Sequence, residues 1–146
     1  MLLEAYPFRI INLHDSDLSL VDSHGRPKYR GLHAVRDAIL AGETVTHSSV
    51  HLATSEVDCG PILAQSKAYP IHLELVHQAR EKGALHILKA YAYAQREWMI
   101  GDSWGPLLDQ TLEAMGQETA RVGRGGILTD PLVAGSWPSV PEVVAS

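Results

Sequence analysis

Phe8-Arg9-Ile10-Ile11-Asn12-Leu13-His14 is a short apolar run that ends in an amide and an imidazole. Residues 8–13 have the length and character of one buried strand rather than a helix. Side chains alternate along a strand, so Asn12 and His14 project from one face at its end. In open α/β sheets, ligand sites lie beyond the carboxyl ends of strands. This strand therefore sets both the fold class and the first two candidate site residues.

Working outward, residues 1–7 read as a helix end or loop stopped by Pro7. Residues 15–31 are polar and punctuated by Gly25, Pro27 and Gly31. A structureless connection of that length tends to be functional. Residues 32–41 read as a helix with Val35, Ala38 and Ile39 on one face and Gly42 as its stop. Residues 44–53 alternate, with Val50 and Leu52 opposite Ser49 and His51, and predict a strand. Asp58-Cys59-Gly60 reads as a turn, and residues 61–68 as a second strand. Residues 73–100 are the longest helical stretch, with Gly83 as a point of division, and Leu85, Leu88, Ala92 and Met99 in one of two apolar stripes. The aromatics Tyr91, Tyr93, Trp98 and Trp104 are expected to be packing residues. A last helix is expected over 106–116, and residues 117–146 as an extended or loosely packed tail, against a folded region of 1–116. Strands alternating with helices predict an α/β fold with a mostly parallel sheet, although three strands are few for one.

The chain has 146 residues and a net charge of −5. That charge argues against a dedicated nucleic-acid binder, which carries a basic face. The single cysteine, Cys59, excludes an internal disulfide and a multi-cysteine metal site. No apolar run approaches the roughly 18 residues of a membrane span, and Met1-Leu2-Leu3-Glu4 lacks a basic leader, so a cytoplasmic setting is expected.

An amide, an imidazole and a carboxylate, here Asn12, His14 and Asp58, suit acyl transfer without covalent help. The amide N–H can donate to a carbonyl oxygen as it becomes negative. Imidazole exchanges protons near neutral pH. The carboxylate can orient the ring or a relaying water. His47 and His51 share a strand face and could join His14 around a metal, but there is no His-Glu-x-x-His pattern and no cysteine pair, so no metal is expected. Arg26, Lys28 and Arg30 form a basic patch that could take a phosphate or the glutamate tail of a folate.

Four ordered blocks carry a resemblance: Ile11-Asn12-Leu13-His14; Lys28-Tyr29-Arg30-Gly31-Leu32-His33-Ala34-Val35-Arg36-Asp37-Ala38-Ile39; Ser49-Val50-His51; and Val57-Asp58-Cys59-Gly60-Pro61-Ile62-Leu63-Ala64-Gln65. Together they resemble the C-terminal half of the folate-dependent formyltransferases, most closely the phosphoribosylglycinamide formyltransferase branch. The resemblance implies formyl transfer from formyl-tetrahydrofolate to a primary amine such as glycinamide ribonucleotide. It places Asn12, His14 and Asp58 at catalytic positions, Ser49 and His33 near the amine substrate, and Ala53, Thr54, Glu56 and Val57 in the loop that cups the folate. The reduced folate is then a co-substrate, with no metal.

The departures shape the alternatives. The family's N-terminal nucleotide-binding half has no counterpart here, and the only glycine cluster, Gly123 to Gly126, follows no strand. The family's His-Pro-Ser becomes His14-Asp15-Ser16, extra residues separate Ser16 from Lys28, and Leu85 stands where the family shows an acid. A homo-oligomer or a partner chain is expected. The alternatives are a non-catalytic oligomerising remnant, whose exposed sheet edge would pair with a second copy, and a formyl-tetrahydrofolate hydrolase.

Overall fold

A computed structural model describes residues 2–6, 9–116, 121–123 and 126–128. One helical turn, α1 (Leu2–Ala5), precedes β1 (Ile11–His14). A 3₁₀ turn (Gly31–His33) leads into α2 (Ala34–Ala41), followed by β2 (Val45–Thr46), β3 (Ser49–Leu52), β4 (Ile62–Gln65) and β5 (Tyr69–Pro70). Helices α3 (Leu73–Glu81) and α4 (Leu85–Gly116) come next, then β6 (Arg121–Gly123) and β7 (Gly126–Leu128).

The central sheet has the order β1-β3-β4. Asn12 pairs with His51 and His14 with Ser49 across β1 and β3. On the other side Val50 pairs with Ala64 and His51 with Ile62, with a register shift between Val50 and His51. Every strand pair among the described residues is antiparallel, which corrects the expected mostly parallel sheet. For β3 and β4 the physical reason lies in their connection. The β3–β4 link is a short turn through Asp58-Cys59-Gly60, and short links produce antiparallel neighbours. The strand read over residues 44–53 is also divided. Residues 44–53 give β2 and β3, and residues 61–68 give β4 and run on to β5. The pair β2–β5 forms a separate two-stranded sheet.

Helix α2 buries Ala34, Val35, Ala38 and Ile39 and ends at Gly42, whose φ of 89° lets its N–H reach back to the carbonyls of Ala38 and Ile39. The guanidinium of Arg80 on α3 adds donors to the carbonyls of Ile39 and Leu40 at the same helix end. His72 caps α3 by accepting from the Leu75 N–H. Gly83, with φ of 61°, makes the division between α3 and α4.

Helix α4 is one continuous element through Pro106 rather than two helices. Proline forfeits one ladder hydrogen bond. Tertiary contacts on either side hold the helix together: Met99 and Leu107 are buried, and the Ser103 hydroxyl lies 2.8 Å from that of Ser48.

The main core joins Val35 and Ile39 of α2, Tyr69, Ile71, Val76 and Ala79, and Leu88, Ala92 and Met99 of α4. A second cluster, Val50, Leu52, Leu63, Ala64 and Leu107, packs the sheet against the far end of α4, with Ile11 and Leu13 at its margin. Leu85 and Tyr93 are exposed, contrary to the packing role expected of them, whereas Trp98, half exposed, packs edge-on against the Tyr69 ring at 5.0 Å. The long segment after β1 is anchored: Ser16 donates to the Tyr29 carbonyl at 2.6 Å, Ser49 donates to the Ser16 carbonyl at 2.7 Å, and Tyr29 packs on Ala34 and Ala38. Of the expected tail, residues 121–123 and 126–128 pair as antiparallel strands, and the rest of residues 117–146 lies outside the described residues. No helix among the described residues is long and apolar enough to cross a membrane.

Candidate active site

Strand β1 brings Asn12 and His14 to its end, and the β3–β4 turn brings Asp58 to meet them. Asp58 is a non-glycine residue at φ 55°, a conformation that aspartate tolerates better than most side chains. Its Oδ2 accepts the Gly31 N–H at 2.7 Å, which ties the turn to the segment entering α2. Gly60 completes the turn. A Cβ there would lie 1.7 Å from the Leu52 carbonyl oxygen, so only glycine lets the turn dock on the end of β3.

The Asp58 carboxylate sits between two imidazoles. Oδ2 is 3.6 Å from His14 Nε2, and Oδ1 is 3.6 Å from His51 Nε2. All three residues are buried. At 3.6 Å the contacts are ion-pair distances, too long for hydrogen bonds. His14 Nε2 is buried with no hydrogen-bond partner, and so is Trp104 Nε1 nearby. Buried polar atoms in a stable fold are ordinarily satisfied, so the two together mark a place built to receive polar groups. They share a pocket of about 340 Å³ with Asn12, Leu13, Asp15, Gly31, Leu32, Val57, Asp58 and Arg96.

Two residues of this site were not read as part of it. His51 hydrogen-bonds to Asn12, with Nε2 and Asn12 Nδ2 3.2 Å apart. Its Nδ1 lies 2.9 Å from the Leu52 carbonyl oxygen. Burial pushes the His51 imidazole below its ordinary pKa, with the Leu52 carbonyl and Asp58 pulling the other way. The available signal was a histidine inside a strand of small and apolar residues, Ser49-Val50-His51-Leu52; its partner across β1 required the register. Arg96 on α4 is the second. Its Nε lies 2.6 Å from Asp15 Oδ2, and Asp15 is buried. The charge that replaces the proline after His14 is therefore answered by a guanidinium from a helix. A buried acid demands such a partner, but its identity could not be read locally.

The remaining expected site residues are placed as follows. Ser49 is fully buried, and its hydroxyl donates to the Ser16 carbonyl and accepts the Leu18 N–H, so it is not presented to the pocket as the substrate contact expected of it. His33 is exposed and lines a neighbouring groove rather than the pocket itself. Of Ala53, Thr54, Glu56 and Val57, only Val57 lines the pocket, 66% exposed. Ala53 donates to the Ile10 carbonyl, Thr54 donates to the Glu56 carbonyl, and Glu56 pairs with Arg26 and Arg30.

The basic patch is countered from within. Arg26 faces Asp22 and Glu56, Lys28 faces Glu43, and Arg30 faces Glu56 and donates to Cys59 Sγ. Burial pushes the Cys59 thiol up, which suits a packing role over a nucleophile. His47 does not join His14 and His51: it meets the Ser66 carbonyl and Asp17 instead. Among the described residues no group of three or more histidine, cysteine or acidic side chains is arranged to hold a metal ion.

The family profile described as formyl transferase matches residues 1–92. The phosphoribosylglycinamide formyltransferase of Escherichia coli (strain K12) is 40% identical over 62 residues, which is 42% of this chain and 26% of that protein. A methionyl-tRNA formyltransferase from Chloroflexus aurantiacus is 45% identical over 60 residues, 41% of this chain and 17% of that one. Among solved structures, glycinamide ribonucleotide transformylase 1 from Symbiobacterium toebii superposes with a TM-score of 0.51 at 28% identity, over 88% of this chain and 49% of that one. A formyltetrahydrofolate deformylase from Pseudomonas syringae shares the fold, at a TM-score of 0.54 and 20% identity, over 88% of this chain and 35% of that one. The chain thus spans about half or less of the length of these relatives. With the profile matched over more than half its length, the chain belongs to the formyl transferase family.

Proposed function

We propose that this chain carries the acid–base site for formyl transfer from formyl-tetrahydrofolate to a primary amine, with glycinamide ribonucleotide as the acceptor. One observation carries the reading: a buried carboxylate, Asp58, lies 3.6 Å from His14 Nε2, an atom left without a hydrogen-bond partner inside a pocket that Asn12 also lines.

Attack of an amine on the formyl carbon produces a tetrahedral centre with a negative oxygen and a positive nitrogen. An Asn12 N–H stabilises the oxygen as charge develops on it. His14 Nε2 takes the proton from the attacking nitrogen and returns it to the leaving folate nitrogen. Asp58, by its charge, favours the transient imidazolium. Its own position is fixed by the Gly31 N–H. The exposed apolar side chains of Leu32 and Val57 flank the pocket and suit the flat face of a pterin.

A second copy or a partner chain pairing along the β1 or β4 edge of the three-stranded sheet fits this reading. Steady-state formyl transfer to glycinamide ribonucleotide, compared between the wild type and His14→Ala, tests the reading. A drop of at least about 10²-fold is expected on losing a general acid–base. Equal rates would remove the catalytic role. Formate release without any amine would favour the hydrolase. A stable dimer with no thermal shift in a folate analogue would favour the non-catalytic remnant.

A further inference from the structure

We propose that His51 is a positioning residue that decides which end of the Asn12 amide faces the reacting carbonyl. Its consequence for rate rests on the formyl-transfer reading above; the hydrogen-bonding state itself does not.

The geometry leaves few options. The Leu52 carbonyl oxygen can only accept, and it lies 2.9 Å from His51 Nδ1. Nδ1 therefore carries a proton. The opposite neutral tautomer would set two lone pairs against each other at that distance. In the neutral ring Nε2 is then a bare acceptor, and the group within hydrogen-bond distance of it is the Asn12 amide, 3.2 Å away. An amide can satisfy that acceptor only through nitrogen. Neutral His51 thus keeps Nδ2 beside it and leaves a second N–H on the same nitrogen for an oxyanion.

Protonation reverses this. An imidazolium has N–H on both nitrogens, so Nε2 turns from acceptor to donor and calls for the amide oxygen. A carbonyl dipole would then occupy the place of the donor and repel the developing negative charge. The charged and titratable groups facing His51 are Asp58, from the β3–β4 turn, and His14, from β1; its flanking strand partners Asn12 and Ile62 carry no charge. His51 is 2% exposed, and burial outweighs the carboxylate, so the neutral state is the one that occupies the site at physiological pH.

Nitrogen-15 NMR on the full wild-type chain tests this without turnover. The expected result at neutral pH is a protonated Nδ1, a bare Nε2 and a coupling across the hydrogen bond between His51 Nε2 and Asn12 Nδ2. On acidification the Asn12 side-chain amide should shift with the same midpoint as the His51 ring. A bare Nδ1, a ring already cationic at neutral pH, or an Asn12 amide that ignores the His51 transition would overturn the proposal. Kinetics add a second readout. His51→Phe keeps the shape without the acceptor and should lower kcat by about 10- to 100-fold, below the full loss of an oxyanion donor. KM should change by no more than about threefold, because ground-state binding is spared. His51→Gln offers an acceptor oxygen and should recover most of the loss. Unchanged kcat in His51→Phe, or equal losses in the two variants, would also overturn it. Should wild type and His14→Ala transfer formyl equally, the functional reading fails, and the NMR pair by itself decides whether His51 holds the amide.

Discussion

Gly60→Ala is the sharpest test of how the site is built. The added methyl would lie 1.7 Å from the Leu52 oxygen, 2.8 Å from its carbonyl carbon and 3.1 Å from Thr54 Cγ2. Ordinary contact requires the turn and the end of β3 to part by about 1.5 Å. Both sides of that contact are backbone, so no side chain can rotate away. Overpacking of this kind costs about 1–3 kcal/mol. Parting the strands also disturbs the 2.9 Å bond from the Leu52 N–H to the Pro61 carbonyl and the His51–Leu52 contact. Each such bond is worth about 1 kcal/mol. The sum is a loss of about 3–5 kcal/mol, which for a chain of this size lowers Tm by roughly 10–15 °C. Thermal unfolding followed by circular dichroism measures it, with Gly101→Ala, where a methyl meets nothing within 4 Å, as the control. A Gly60→Ala protein melting within about 2 °C of wild type would refute the close approach, and with it the placement of Asp58 beside His14.

Other expectations follow from the same contacts. Asp58→Asn keeps the shape and an acceptor for Gly31 but removes the charge 3.6 Å from His14. Gross attraction to an imidazolium there is about 4–5 kcal/mol at an effective dielectric of about 20. The amide dipole recovers part of it, so kcat should fall about 10²- to 10³-fold in the formyl-transfer assay. Arg96→Met strands the buried Asp15 and should cost about 1–3 kcal/mol in urea unfolding, discounted for the partial exposure of the arginine; adding Asp15→Asn should restore most of it. His51 has a folded-state pKa below its unfolded value, so the unfolded chain binds the extra proton. Stability should therefore decline as pH falls below about 6.5, and His51→Phe should flatten that slope in chemical-denaturation series. The Tyr29 hydroxyl, followed by Lys28, holds Glu43 below its ordinary pKa. Its stabilisation is present above the unfolded value and lost as pH falls through the lower folded one, so Tyr29→Phe should cost about 1 kcal/mol near neutrality and less in acid.

Much of the local structure was legible because local chemistry decides it. Helix α2 and its stop at Gly42 follow from apolar spacing and one left-handed glycine. The break at Gly83 has the same origin. Strand direction did not follow, because alternation along β3 is identical whichever way its neighbours run. The continuity of α4 past Pro106 was also hidden, since it depends on Ser103 meeting Ser48 just before β3 and on Leu107 packing against the sheet. In the site, Asn12, His14 and Asp58 could be picked out by residue type and order. The burial of Ser49 was not legible, because its pleat position says nothing about Ser16 and Leu18 closing over it.

The sequence by itself determined the family, helix α2 with its stop, the break at Gly83 and the residue types for acid–base chemistry, because each is written in contiguous blocks or short periods. Tertiary structure alone decided that a carboxylate after β3 reaches two histidines on neighbouring strands, that Asn12 is held by His51, and that Arg96 answers Asp15. Three of those pairings join residues 39 to 81 positions apart. They arise from strand register, a close backbone approach at Gly60 and the path of one long helix, none of which leaves a local mark in the chain.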